Sequence, residues 1–264
     1  PCMVADTGSV YCWGSNADQH AGAGDQQYAP SPTLIADEGY SYTQVHSGQL
    51  FACGLEGAQS HARCWGAGRY LGNPEAPEFY GSLPLPVQPT HNFDRLAAGP
   101  VTACARVEYE NFQCWGANES AQMGDGTQTS EWGLLKPGFD NTSLEKVSLS
   151  EDNGCGIDAE GDLYCWGRSD LGVVGNNYSG QIPQTRPALV GYEHKWRSVS
   201  VGPTAACAIT DQHELYCWGS NQYGLLATTV RSSDQIAQAP QPTAFDGAVL
   251  DVSVGTSSAC AVMA

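Results

Sequence analysis

Residues 196–219 read Trp196-Arg-Ser-Val199-Ser-Val201-Gly202-Pro-Thr-Ala-Ala-Cys207-Ala-Ile-Thr-Asp-Gln-His-Glu-Leu215-Tyr-Cys217-Trp218-Gly219. The stretch contains a short β-branched run ended by glycine, then two cysteines ten residues apart, the second inside Cys-Trp-Gly. Cys-Trp-Gly occurs four more times, at Cys12, Cys64, Cys114 and Cys165, in steps of 52, 50, 51 and 52 residues from the first copy to the last. Tryptophan is rare, so five copies in phase identify an internal repeat of about 51 residues, the signature of a solenoid or propeller.

Working outward, each tripeptide has a partner cysteine ten residues upstream, or eleven in one case: Cys2, Cys53, Cys104, Cys155 and Cys207. Eleven residues before the upstream cysteine stands a bulky residue: Tyr42, Phe93, Leu144, Trp196, and Val249 counted from Cys260. Eight before it comes Val45, Leu96, Val147, Val199 or Val252, and five before it Gly48, Gly99, Ser150, Gly202 or Gly255. The β-branched run reads as a buried inner strand. In Cys2–Cys12, pairing Met3 with Tyr11 and Val4 with Val10 across an Asp-Thr-Gly turn sets the two cysteines opposite each other. A Pro-led outer strand follows, as at Pro32, Pro86, Pro187 and Pro242, since a residue without N–H belongs on an edge. The third outer segment, from Glu131 to Phe139, lacks this pattern. Four strands per repeat make a propeller blade, so the predicted fold is an all-β propeller over residues 1–264.

Opposed residues of an antiparallel hairpin lie roughly 4.5–5.5 Å apart at Cα, within disulfide range. Five bridges are expected: Cys2–Cys12, Cys53–Cys64, Cys104–Cys114, Cys155–Cys165 and Cys207–Cys217. Strand alternation turns the cysteine and glycine of the tripeptide to one face and the tryptophan to the other, against a neighbouring blade. Eleven cysteines without a Cys-x2-Cys pair suit structural bridges in an oxidising setting: extracellular, periplasmic or at the cell surface. Cys260 is left over, unpaired or intermolecular. Two readings of the ends stand, a piece of a longer array, which is favoured, or a closed five-bladed ring.

Trp196-x2-Val199-x2-Gly202-x4-Cys207-Ala with Leu215-Tyr-Cys-Trp-Gly-Ser-Asn221-x2-Gly224 resembles the repeat of the regulator-of-chromosome-condensation family. Cys114-Trp-Gly-Ala-Asn118 with Met123-Gly-Asp-Gly-Thr127 resembles it too. The resemblance implies a propeller, usually seven-bladed, on which members perform guanine-nucleotide exchange, light sensing or enzyme inhibition. It therefore implies an architecture and no single activity.

A net charge of −17, from 28 acidic and 11 basic residues, argues against nucleic acid and anionic membrane surfaces. No window is apolar for long enough to cross a bilayer. Six scattered histidines (20, 46, 61, 91, 194 and 213) read as surface, and no nucleophile, metal or phosphate motif appears, so no catalytic residue, cofactor or metal is expected. Asn118, Asn141 and Asn177 open sequons that offer glycan sites in predicted loops. The loops after the tripeptides diverge most, with Tyr28, Tyr70, Tyr80, Tyr178 and Tyr223 spread among them. A constant framework with varied loops reads as an interaction scaffold for a protein or glycan partner, open to self-assembly. A secreted enzyme inhibitor is the alternative, and a nucleotide exchange factor the third reading.

Overall fold

The repeat spacing is realised as antiparallel sheets in a computed structural model that describes residues 1–35, 39–57, 60–75, 80–88, 90–108, 110–137, 139, 142–228 and 236–264. Sheet one holds β1 (Cys2–Val4), β2 (Val10–Ser15) and β3 (Tyr28–Leu34). Sheet two holds β4 (Tyr42–Ser47), β5 (Phe51–Glu56), β6 (Ala62–Ala67) and β7 (Tyr80–Pro86), with a 3-10 turn at Gly68–Tyr70. Sheet three holds β8 (Phe93–Ala98), β9 (Thr102–Val107), β10 (Phe112–Gly116) and β11 (Glu131–Pro137). Sheet four holds β12 (Leu144–Leu149), β13 (Asn153–Asp158), β14 (Leu163–Gly167) and β15 (Gln184–Val190). Sheet five holds β16 (Trp196–Val201), β17 (Ala205–Thr210), β18 (Leu215–Ser220) and β19 (Ile236–Pro242). A last hairpin pairs β20 (Val249–Val254) with β21 (Ala259–Met263). Each sheet follows chain order, as a meander of short strands requires. Two compact units divide these elements, residues 1–118 with 129–138 and residues 119–128 with 139–264.

The inner strands start where the sequence places them, on Tyr42, Phe93, Leu144, Trp196 and Val249, each 1–3% exposed. Their first residues also tie one sheet to the next within a unit. Tyr42, Phe93, Trp196 and Val249 donate their backbone N–H to the carbonyls of Gly8, Ser60, Gly161 and His213, at 2.6–2.9 Å. Each acceptor lies in the preceding hairpin turn in the left-handed region, φ +54 to +84°. At the other end of the inner strand, Gly48, Gly99, Ser150, Gly202 and Gly255 close a tight turn, each donating across it at 2.8 Å.

The outer strands depart from expectation in their boundaries. β3 opens four residues before Pro32, whereas Pro86 and Pro242 end β7 and β19. The cause is a bulge opposite every tryptophan. Cys12 pairs with Thr33 but Gly14 with Ala29, so residues 30–32 face Trp13 alone. The same slip sets residues 82–84, 185–187 and 238–240 against Trp65, Trp166 and Trp218. Pro30, Pro32, Pro84, Pro187 and Pro240 lie in these slips, where no ladder N–H is needed. The segment at Glu131 also forms an outer strand, β11, which ends on Pro137 but has no proline in its slip.

Candidate functional site

All five hairpins place their cysteines opposite each other in the expected register. The five disulfides are Cys2–Cys12, Cys53–Cys64, Cys104–Cys114, Cys155–Cys165 and Cys207–Cys217, with Cα–Cα distances of 4.0–4.1 Å. Apart from Cys2 their cysteines are at most 1% exposed, and Cys260 is the one free thiol, exposed on β21.

Within each unit the disulfide face of one sheet meets the tryptophan face of the next. Cys12 shares a core cluster with Trp65, Cys53 and Cys64 with Trp115, and Cys155 and Cys165 with Trp218. Trp65, Trp115, Trp166 and Trp218 are fully buried. An indole N–H in that position must find an acceptor, and every one does. Trp65 donates to the His20 carbonyl at 3.0 Å, Trp115 to Tyr70 at 2.9 Å, Trp166 to Gln122 at 2.8 Å and Trp218 to Val173 at 2.7 Å. Each acceptor sits in the loop after the preceding tripeptide, so the tryptophan anchors that loop as well as filling the core. Burying such a ring contributes at most about 4–6 kcal/mol. The glycine that follows has φ of +99 to +111° in all five copies. At Gly66, Gly116, Gly167 and Gly219 a β-carbon would lie 2.2–2.6 Å from a facing carbonyl oxygen, so no side chain fits.

The loops carry a residue whose role the sequence reading misses. Asn16 and Asn221, two residues after the tripeptide glycine, are 1% and 8% exposed. Their Oδ1 atoms accept from Ala21 at 2.9 Å and Leu226 at 3.2 Å, five residues on in each case. Asn16 also donates to the Gly24 and Gln26 carbonyls, at 2.9 and 2.7 Å. Asn118 holds the same position at 0% exposure, its amide donating to the Thr129 carbonyl at 3.3 Å. The Asn118 amide, which also opens a sequon, is thus engaged in ordering the loop. The recurring Gly-x-Asn spacing is visible in the sequence and carried this signal. Asn177 is exposed, with φ +64°, and Asn141 lies outside the described residues.

Two further expectations change. Tyr70 is partly buried: its ring stacks on Phe51 at 5.6 Å and meets Trp132 edge-on at 5.5 Å. His20 is buried at 8% exposure, and burial pushes both its imidazole and that of the partly buried His46 below their usual value. Tyr28, Tyr80, Tyr178 and Tyr223 are exposed by 43–64%, and the more exposed Ile182 and Tyr192, at 74% and 82%, were not singled out from sequence. Among the described residues no three His, Cys, Asp or Glu side chains gather to hold a metal. Arg168 joins Asp152 and Asp170 at 3.2 and 2.6 Å on the surface.

The model of the regulator of chromosome condensation (RCC1) repeat matches residues 196–225, the stretch that contains β16–β18 and the Trp218 loop. The chain thus carries an RCC1-type repeat. The ultraviolet-B receptor UVR8 of Arabidopsis thaliana is 27% identical over 228 residues, 83% of this chain and 51% of the receptor. The mouse E3 ubiquitin-protein ligase HERC2 is 24% identical over 92% of this chain and 5% of its own length. The chain thus spans half of one such relative and a small part of the other. Human WBSCR16 superposes with a TM-score of 0.82 at 19% identity, covering 100% of this chain and 69% of that one. Prp20p of Saccharomyces cerevisiae gives 0.81 at 20% identity, covering 98% and 65%. Together these fix the fold as an RCC1-type β-propeller, and in this chain each of the five Cys-Trp-Gly strands carries a disulfide.

Proposed function

We propose that the chain is an extracytoplasmic interaction scaffold that binds a protein or glycan partner through the loops at the ends of its blades. The observation that carries this reading is the division of labour within each repeat. Tryptophan, glycine and disulfide are spent on internal packing, while the loops between them project Tyr178, Ile182 and Tyr223 into solvent at 43–74% exposure. Exposed aromatic anchors on a rigid frame are what recognition surfaces use. Protein partners suit the fold, since structures with it include Prp20p, described with its binding to Gsp1p and histones, and yeast RCC1 bound to Kap60. Five disulfides suit an oxidising compartment, where such bonds persist.

The test is capture from the extracytoplasmic fraction of the source organism by the unreduced chain and by a Tyr178→Ser, Ile182→Ser, Tyr223→Ser variant of equal thermal stability. A partner retained by the parent and held about tenfold or more weakly by the variant supports the reading. Equal retention by both, or retention only after reduction, overturns it.

A further inference from the structure

The outer strands of sheets four and five share one architecture and differ at two residues. In each, three residues opposite the tryptophan leave the ladder, 185–187 against Trp166 and 238–240 against Trp218. The first carbonyl of each slip accepts from the loop after the preceding tripeptide. Gly126 N–H donates to Thr185 and Asn177 N–H to Gln238, both at 2.8 Å. In sheet four the next residue of the slip is Arg186, and its guanidinium packs so closely on Gly126 that a β-carbon there would lie 2.9 Å from it. Sheet five has Asn177 where sheet four has Gly126, and Ala239 where sheet four has Arg186. A long cation over bare backbone is thus exchanged for a methyl group beside an amide.

An open pocket of about 410 Å³ lies there, lined by Asn177 and Ala239 with Asn221, Leu226, Gln238 and Gln241, among others. Its volume falls in the range of roughly 300–1,000 Å³ typical of small-molecule sites. Both flanking sheets are four-stranded, and the pocket lies within one compact unit. None of its lining residues among those described is charged. Four amides converge on it instead, and their free ends are mixed. Asn221 is 8% exposed, and the Leu226 N–H fixes its Oδ1 at 3.2 Å and leaves Nδ2 to donate. Gln241 donates to the Ala239 and Pro240 carbonyls at 3.2 and 3.1 Å and keeps its Oε1 to accept. Gln238 donates to Ser179 Oγ at 2.6 Å and likewise keeps its Oε1. Asn177, exposed at the rim, offers a donor and an acceptor. Tyr178 stands beside them with its ring 43% exposed, tethered on both sides because its neighbours Asn177 and Ser179 each bond to Gln238.

We propose that this pocket binds an uncharged oligosaccharide, its hydroxyls bonded by Asn177, Asn221, Gln238 and Gln241 and one sugar face resting on Tyr178. It rests on the scaffold reading above and narrows the partner to a neutral glycan. A hydroxyl both donates and accepts, so a sugar ring satisfies a mixed set of amides. A carboxylate or an ammonium would lose hydration there and meet no counter-charge. The net charge of −17 turns anionic sugars away as well. A tyrosine ring gives the apolar C–H face of a sugar a surface to cover while its hydroxyl stays in water.

The experiment titrates the unreduced chain, made in a periplasm without N-glycosylation so that Asn177 stays bare, with three neutral probes. Cellohexaose and chitohexaose stand for structural polysaccharides and a high-mannose glycopeptide for protein-borne glycans, so the probe that binds identifies the source. Saturable binding of at least one is expected, with a Kd of about 1 mM or tighter, and about tenfold or weaker binding of hexagalacturonate. The side-chain amide resonances of Asn177, Asn221, Gln238 and Gln241 should shift on binding. Asn177→Gly with Gln241→Ala should weaken it about tenfold, since both residues are exposed and glycine suits the φ of +64° at position 177. Ala239→Arg, which restores the arrangement of sheet four, should abolish it by filling the pocket. Failure of all three neutral probes, equal binding of hexagalacturonate, or undiminished affinity in either variant overturns the proposal. The scaffold reading fails separately, since its own test changes Tyr178, Ile182 and Tyr223 and scores a captured partner.

Discussion

At the scale of single residues, the tryptophan of the repeat joins two tasks, filling space and supplying one hydrogen bond. In Trp166 both are fully buried, the N–H donating to Gln122 at 2.8 Å and the ring touching Phe139 at a centroid distance of 4.6 Å. Trp166→Phe removes the donor, leaves a buried carbonyl unpaired and opens a cavity, a loss of about 3 kcal/mol. Trp13 is the internal control. It carries the same tripeptide but is only partly buried, so Trp13→Phe should cost under about 1 kcal/mol. Urea unfolding of the two variants beside the parent checks the difference, and equal losses would remove the latch from the account. A parallel comparison isolates the glycine. Gly116→Ala puts a β-carbon 2.4 Å from the Val101 oxygen at φ +107°, whereas Gly24, at φ +58°, has nothing within 4 Å. The first should lose more than about 2 kcal/mol and the second about 1 kcal/mol or less.

At the scale of the element, the hairpin is the part most completely legible in the sequence. Its register is fixed three times over, by the turn, by the apolar alternation and by two cysteines that reach each other in one alignment only. Inner strands were legible for a related reason, as runs such as Val249–Val254 have no competing periodicity. Outer strands were not, because three residues opposite each tryptophan, or four opposite Trp115, drop out of the ladder and erase the alternation that marks a strand; β11 lacks even a proline in its slip. One residue can also serve two patterns, as Asn118 completes a sequon while filling a buried loop position. The disulfides are element-scale devices, each closing a loop of ten or eleven residues. One such bridge contributes roughly 2–3 kcal/mol, so five rival the whole stability of an ordinary domain. Alkylation of the native, unreduced protein should therefore label Cys260 alone, and the Cys155→Ala, Cys165→Ala double variant should stay folded with a lower melting temperature. Full reduction should unfold the chain. A second alkylated cysteine without reduction would break the five-bridge assignment.

Across the whole molecule two electrostatic effects act in opposite directions as pH falls from 7.5 to 5.5. The net charge of −17 repels itself, and protonating any histidine relieves that repulsion. Burial works the other way. The imidazoles of His46 and His20 are held below their ordinary value of 6.5, so the unfolded chain binds protons that the folded chain refuses. Stability from this source is complete above about pH 6.5 and is lost as pH falls from there toward the lower folded values. Asp170 stays out of this window, because hydrogen bonds from Arg168 hold its carboxyl below the usual carboxylate range. Salt separates the two effects. At about 0.15 M the screening length is near 8 Å, which weakens repulsion between surface charges but leaves the desolvation of a buried ring in place. In that salt the melting temperature should fall from pH 7.5 to 5.5, and His20→Gln with His46→Gln should flatten the slope. The latch to Trp65 survives this change, since it is the His20 backbone carbonyl that accepts the indole proton. A slope as steep in the double variant would place the pH dependence on other groups. At about 0.01 M, with a screening length near 30 Å, relief of repulsion should offset part of the loss and make the parent's slope shallower.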